Sequence, residues 1–170
     1  MKKHITIIAS IMLAFAMSFS ACNKDPQGGE GNGNGGNNQE TSVKRNVRYK
    51  LDNEVLSQVI SPCFKANISY VGADGQMVEV KNAELPWSVD ILVEAPFHAK
   101  FEGTMVFDES ELPDDVSFGT PYGIFFKAPE DQVYSGESLG HISVISKDKF
   151  LEFIETNPDF LQFQQELNIR

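Results

Sequence analysis

The chain has 170 residues, of which 24 are acidic and 14 are basic, so its formal net charge at pH 7 is -10. This negative charge disfavours binding to nucleic acids and to anionic lipid surfaces, and it favours solubility or cationic partners. A hydrophobic fraction of 41% in a chain of this length is enough to form a globular core without disulfides.

The N-terminus has the parts of an export signal. Two lysines follow Met1, an apolar run extends from Ile5 to Phe19, and two small residues precede Cys22. The apolar run has the length of a signal-peptide core and is too short for a stable membrane span. We therefore predict that residues 1–21 are a signal peptide.

The tetrad Phe19-Ser20-Ala21-Cys22 resembles the lipobox of bacterial lipoproteins. There the cysteine thiol is acylated, palmitate being a typical chain, and the cysteine becomes the first residue after cleavage. Because each buried methylene contributes about 0.8 kcal/mol, several acyl chains would anchor Cys22 permanently in a membrane. An ordinary signal peptide is the alternative, but Phe19 is large where such cleavage sites prefer small residues. We expect an outer-membrane lipoprotein that faces either the periplasm or the cell surface.

The segment after Cys22 is of low complexity. Residues 23–42 contain six glycines and five asparagines and almost no apolar residue. Such a segment is expected to be a flexible coil with a reach of about 25 Å. We assign residues 22–42 to the lipidated cysteine and a linker. A phosphate-binding loop is not predicted, because no strand precedes the glycines and no helix or lysine follows them.

From Val43 the sequence shows the two-residue period of half-buried strands. Alternating apolar positions and turn residues such as Asp74-Gly75 predict strands near residues 47–51, 64–70, 76–81, 89–93, 97–107, 122–127 and 142–145. Short strands without intervening helices are typical of an antiparallel sandwich or barrel. The predicted fold class is mainly β.

The C-terminus has a helical period instead. Residues 147–156 carry an apolar face after the predicted N-cap Ser146, and Asn157-Pro158 interrupts it. A second helical stripe is predicted over residues 160–167. We therefore divide the chain into a β-sandwich domain, residues 43–146, and a short helical C-terminal appendage, residues 147–170.

Two roles are open for Phe160 and Phe163 in the second stripe. In the first, both helical stripes pack on the sandwich and close an exposed sheet face. In the second, one stripe stays partly exposed as an interaction surface for an envelope partner.

Three segments resemble a group of small Bacteroidetes-type lipoproteins. They are ANISYVGADG at residues 66–75, ELPWS at 84–88 and TPYGI at 120–124, within a resemblance that covers residues 47–128. The resemblance implies a single immunoglobulin- or transthyretin-like sandwich, distantly similar to the accessory domain of mycobacterial membrane protein S, which assists a lipid-exporting transporter. It implies no catalytic residues. Residues 54–62, which look like an insertion, and the helical tail depart from the group.

Catalytic and zinc-binding patterns are weak. Gly136-Glu137-Ser138-Leu139-Gly140 has the form G-x-S-x-G but lacks the preceding strand and following helix of a nucleophile elbow, so a connecting loop is expected. Cys63 with His98 or His141 would make a thiol and base or a zinc site, but no C-x-x-C or H-x-x-x-H spacing supports either. We expect a strand thiol and solvated histidines.

Other side chains have one functional and one structural interpretation. The acidic residues of one loop would suit a hard cation such as calcium, but the EF-hand pattern is absent, so a hydrated loop is expected and no metal or cofactor is assigned. They are Asp108, Glu109, Glu111, Asp114 and Asp115.

Trp87 would stack on a sugar or anchor the core, and we expect the core role. The basic cluster formed by Lys44, Arg45, Arg48 and Lys50 is interpreted as a solvated strand edge.

Three function classes remain. We expect a non-enzymatic binding or interaction module whose partner is an envelope protein or a glycan. The alternatives are an accessory subunit of an envelope transport complex and an enzyme, which would need convergent polar groups in a cavity.

The lipobox-like tetrad gives a direct prediction. Cys22→Ala removes the acylated thiol, so the variant is expected to be soluble or unprocessed when detergent phases are separated. Normal cleavage together with unchanged partitioning into detergent would refute the anchor.

Overall fold

The computed structural model describes residues 42–170, so the predicted signal peptide, Cys22 and nearly all of the linker lie outside the described residues. The described part contains twelve strands, one α-helix and two short 3-10 helices. The strands are β1 Val43–Leu51, β2 Glu54–Val55, β3 Gln58–Val59, β4 Phe64–Val71, β5 Met77–Ala83, β6 Trp87–Ala95, β7 Phe97–Phe107, β8 Asp115–Gly119, β9 Tyr122–Lys127, β10 Ser135–Leu139, β11 Ile142–Ser146 and β12 Gln162–Ile169. Helix α1 spans Lys147–Thr156, and the 3-10 helices span Glu109–Glu111 and Pro158–Leu161.

Two four-stranded antiparallel sheets form a sandwich. The strand order is β10-β9-β1-β6 in the first sheet, called sheet I, and β12-β7-β4-β5 in the second, called sheet II. Strands β8 and β11 form a separate pair, and β2 and β3 form a small hairpin. This architecture confirms the predicted mainly-β antiparallel sandwich.

Aromatic rings fill the space between the sheets. Phe101 of β7 is fully buried, and its ring centroid lies 5.6 Å from that of Tyr49, 5.9 Å from Trp87 and 5.2 Å from Phe163. The Tyr49 hydroxyl donates a hydrogen bond of 2.8 Å to the Val71 carbonyl, and burial raises the pKa of this phenol. Trp87 begins β6 and packs against the core, as the sequence predicts.

Helix α1 supplies a second aromatic cluster. Phe150 is fully buried, and its ring lies 4.7 Å from Phe118, 5.1 Å from Phe107 and 5.7 Å from Phe64. The helix begins and ends at the residues expected from its apolar face. Ser146 occupies the N-cap position, but its side chain makes no capping hydrogen bond.

The predicted second helical stripe is wrong. The C-terminal segment enters the sandwich as β12, which pairs antiparallel with β7 from Gln162 to Ile169. Phe163, Leu167 and Ile169 also fit the two-residue period of a strand. Pairing with the long strand β7 satisfies the hydrogen-bonding groups of the backbone, so tertiary context selects the strand over the helix. Helix α1 confirms the predicted helix near the C-terminus, whereas Gln162–Ile169 form an edge strand of sheet II and are not part of a helical appendage.

Four further strands were not predicted, namely β2, β3, β8 and β10, and one interpretation changes. Strand β10 is exposed throughout and has one large apolar residue, Leu139. Strand β8 alternates only through Val116 and Phe118, which is too short a pattern to predict a strand from the sequence. In the basic cluster of β1, Arg48 and Lys50 do not lie at a strand edge, because they pair with β6 on one side and β9 on the other. Lys44 and Arg45 pair only with β6 and keep the edge position.

The burial of Phe163 gives a stability prediction. Its side chain is 4% exposed, and Phe163→Ala leaves a cavity beside Phe101 and Tyr122, so unfolding in urea should show a loss of about 3–5 kcal/mol. The exposed control Val144→Ala should change the free energy of unfolding by less than about 0.5 kcal/mol. Equal effects of the two substitutions would contradict the core position of Phe163.

Candidate functional site

The predicted nucleophile motif does not form an elbow. Residues 135–139 are strand β10, in which Ser138 is exposed and lies opposite Gly123 of β9. The expected connecting loop is thus a strand, and the next regular element is strand β11 rather than a helix. This backbone does not place the Ser138 hydroxyl at a strained turn, which an elbow requires.

Cys63, His98 and His141 have separate surroundings. The predicted strand thiol is wrong, because Cys63 lies in the turn before β4. It is half-buried, and burial raises the pKa of its thiol, which disfavours the nucleophilic thiolate. His98 Nδ1 lies 2.9 Å from Asn168 Oδ1, on the strand pair β7–β12. The ring of His141 lies against Phe160 at 5.5 Å. Within residues 42–170, no group of three cysteine, histidine or acidic side chains could hold a metal ion.

The acidic loop is organised by its own hydrogen bonds. Asp108 Oδ1 accepts hydrogen bonds from the Ser110 N–H at 2.8 Å and the Ser110 hydroxyl at 2.6 Å, which lower the pKa of this carboxyl. Asp108 therefore acts as the N-cap of a 3-10 helix. Glu109, Glu111, Asp114 and Asp115 are all exposed, and the described residues do not assemble them into a cation site.

Phe160 and Phe163 both pack against other aromatic rings. Phe163 lies in the core, and Phe160 is half-buried against Phe118 at 5.5 Å and Phe153 at 4.8 Å. Phe163 therefore packs in the core, and the interaction role stays a prediction for the half-buried Phe160.

A different cluster occupies the outer face of sheet I. The register places Gly136, Phe125, Arg48 and Asp90 side by side in one row across β10, β9, β1 and β6. Arg48 donates two hydrogen bonds to Asp90, from Nε to Oδ1 at 2.7 Å and from a terminal nitrogen to Oδ2 at 2.8 Å. This bidentate geometry joins the two side chains across the neighbouring strands β1 and β6. We call the row, together with Tyr134 and Lys127, the outer-face cluster.

Tyr134 extends the outer-face cluster from the loop before β10. The Arg48 guanidinium carbon lies 4.4 Å from its ring centroid, and Lys127 Nζ lies 5.0 Å from it. Lys127 also donates a hydrogen bond of 2.7 Å to the Asp131 carbonyl. The two cations therefore fasten the loop before β10 to the sheet by cation–π contacts and hydrogen bonding.

Mutual interaction fixes the charge states in the outer-face cluster. The hydrogen bond to Asp90 raises the pKa of Arg48, and the bond from Arg48 lowers the pKa of Asp90. Burial raises the pKa of Tyr134, and the nearby Asp90 charge adds to this effect. At neutral pH the cluster thus presents an ionised pair beside a neutral phenol.

Phe125 lies flat on the sheet because its neighbours are glycines. A Cβ at Gly123 would come within 2.7 Å of Phe125 Cε2, and a Cβ at Gly136 within 2.8 Å of Phe125 Cδ1. Gly136 also has a φ of +150°, which favours glycine. Phe125 is half-buried and lies outside the core cluster, whereas its neighbour Phe126 packs against the core. The result is a partly exposed aromatic surface beside the Arg48–Asp90 pair.

Sequence reasoning missed the outer-face cluster, although one signal was present. Because successive strand side chains point to opposite faces, the pair Phe125-Phe126 in a strand requires one ring on the outer face. The partners of Arg48 were not visible, since Asp90 and Tyr134 are distant in the chain and meet only through sheet pairing.

Comparison with known families gives one partial match. A family model described as Mycobacterium membrane protein matches residues 33–100, which is less than half of the chain. The match agrees with the distant mycobacterial similarity inferred from the sequence and fits a membrane-associated protein. No curated protein matches the chain significantly. No helix in the described part is both long and apolar enough to span a bilayer.

The Arg48–Asp90 pair predicts a pH dependence. Because the pKa of Asp90 is lower in the folded protein, the pair stabilises the fold above about pH 4 and loses this effect as pH falls through the lowered pKa. Asp90→Asn should therefore cost up to about 1 kcal/mol at pH 7, since both side chains are more than a third exposed, and progressively less below pH 4. Urea unfolding at several pH values measures this difference. The exposed control Glu130→Gln should change the free energy of unfolding at pH 7 by less than about 0.5 kcal/mol.

Proposed function

We propose that this protein is a non-enzymatic lipoprotein of the cell envelope, anchored by acylated Cys22, that binds its ligand on the outer face of sheet I. The observation that carries the proposal is the row in which Phe125 lies flat beside the bidentate Arg48–Asp90 pair. The row is built on the four strands of sheet I, so its geometry is preorganised for binding.

A glycan is the ligand that fits the outer-face cluster. The exposed face of Phe125 offers an apolar plane for the C–H groups of a sugar ring, while Arg48 and Asp90 offer a charged donor and a charged acceptor for its hydroxyls. Hydrogen bonds to charged groups are stronger than those between neutral groups. The acidic chain disfavours polyanions, and a flat sheet face suits an extended polymer better than a small molecule, which prefers a concave site.

The predicted lipid anchor and linker would place the domain where it can reach an envelope glycan. A lipid on Cys22 would hold the protein in the outer membrane, facing the periplasm or the cell surface, and residues 23–42 would let the domain search a layer of about 25 Å. The membrane-protein family match is compatible with this location. An accessory role in an envelope transport complex remains the alternative, and stable co-purification with such a complex would distinguish it.

Phe125→Ala tests the glycan proposal. Truncation removes the stacking plane, so retention on insoluble peptidoglycan and on immobilised neutral polysaccharides should fall at least about tenfold, corresponding to about 1.4 kcal/mol. Phe125→Leu keeps an apolar cover over Gly123 and Gly136 but lacks the flat ring, so it should also bind weakly while remaining folded.

Val144→Ala is the matched control, because Val144 is exposed on β11 rather than on sheet I. It should bind like the parent protein. Parent-like glycan retention by both Phe125 variants, or no retention by the parent protein itself, would refute the glycan proposal.

A further inference from the structure

A strained hairpin projects from the sandwich directly after β1. Strands β2 and β3 are joined by Leu56 and Ser57, which have φ values of +50° and +69°. Two-residue hairpin turns of this type favour Asn-Gly, because both central residues need positive φ. Leucine and serine are unfavourable at positive φ, so the requirements of the turn do not explain why Leu56 and Ser57 occupy these positions.

The tip of the hairpin is apolar and exposed. Leu56 is 94% exposed and Val59 is 51% exposed, and within residues 42–170 nothing covers them. Exposed leucines are common, but one held in an unfavourable backbone conformation at the end of a projection is not explained by packing.

The base of the hairpin is rigid, in contrast to its tip. Ile60 is buried and donates a backbone hydrogen bond of 2.8 Å to Asn53. Ser61 and Ser117 exchange two bonds, from the Ser61 N–H to the Ser117 carbonyl at 2.8 Å and from the Ser117 N–H to Ser61 Oγ at 2.9 Å. The Asp52 N–H donates to the Pro121 carbonyl at 2.7 Å. The sandwich therefore presents Leu56 on a fixed support, which lowers the entropy cost of binding.

Exposed carboxylates lie on the hairpin and at its base. Glu54 on the hairpin is exposed, and the Glu84 side chain is 84% exposed beside a cleft of about 470 Å³ at the hairpin base. Lys65 lies 3.8 Å from Glu84 and also lines this cleft, with Val59 and Leu85. An anionic bilayer would repel these carboxylates, and a second copy of a chain with a net charge of -10 would do so as well.

We propose that residues 53–60 are a docking element for a partner protein that receives Leu56 in an apolar socket and meets Glu54 and Glu84 with basic side chains. Central apolar anchors surrounded by polar contacts are typical of protein interfaces, and charge complementarity selects the partner. This surface is separate from the outer-face cluster, so the inference goes beyond the proposed function and does not depend on it.

Crosslinking in intact cells tests the docking element with the full chain. A photoreactive benzoylphenylalanine replaces Val59, next to the tip, or Val133, a control position that is 78% exposed in the loop before β10. The expected result is one protein adduct from position 59 and not from position 133. The partner is then identified by mass spectrometry and purified for binding measurements.

Paired substitutions separate docking from folding. The double variant Leu56→Asn, Ser57→Gly removes the apolar tip and supplies residues that tolerate positive φ, so its melting temperature should rise by about 2 °C while the adduct from position 59 falls at least about tenfold. Glu54→Lys should weaken binding of the purified partner at low salt, and the difference from the parent protein should shrink at high salt.

Four outcomes would overturn the inference: adducts with lipid alone, adducts with a second copy, equal adducts from positions 59 and 133, or an unchanged adduct in the double variant. Failure of the glycan test leaves these outcomes unaffected, because no Phe125 variant alters the hairpin.

Discussion

The structure depends on the antiparallel pairing of β1 with its two neighbours. Over its whole length β1 pairs with β6, and over its second half it pairs with β9, which makes it an inner strand of sheet I. Its alternation buries Val47, Tyr49 and Leu51 completely and places Arg48 on the opposite face. A register shift of one residue would exchange these faces and expose the core side chains to solvent. Core and candidate binding face are thus specified by the same pairing.

The same pairing explains why sequence reasoning predicted most of the sandwich. Strands with alternating apolar residues, such as β4 and β7, carry their burial in a local pattern, because one face must meet the other sheet. Strand β10 carries no such pattern, since all five of its residues are exposed and it is held by its neighbour β9. Strand β12 carries an ambiguous pattern that only its long partner β7 resolves.

The candidate site was less predictable than the fold, for a related reason. Motif searches look for residues that are close in sequence, whereas Arg48 and Asp90 are 42 residues apart and meet by register. The short motifs that were visible, such as the glycine-bounded Ser138 and the acidic loop, are explained by strand pairing and by a capped 3-10 helix. The insertion recognised at residues 54–62 was the better guide, because it forms a hairpin whose tip is exposed while Ile60 at its base is buried.

Strand β1 also has a mechanical consequence. The N-terminal segment joins the domain at Val43, and the docking hairpin follows Leu51 at the other end of the same strand. A force applied between these two points runs parallel to β1, whereas the hydrogen bonds that hold it lie perpendicular to the strand. Because both points lie on one strand that is already extended, the covalent backbone of β1 carries such a load and the hydrogen bonds to β6 and β9 bear little of it. The domain is therefore built to carry tension along the line between its N-terminal attachment and its hairpin.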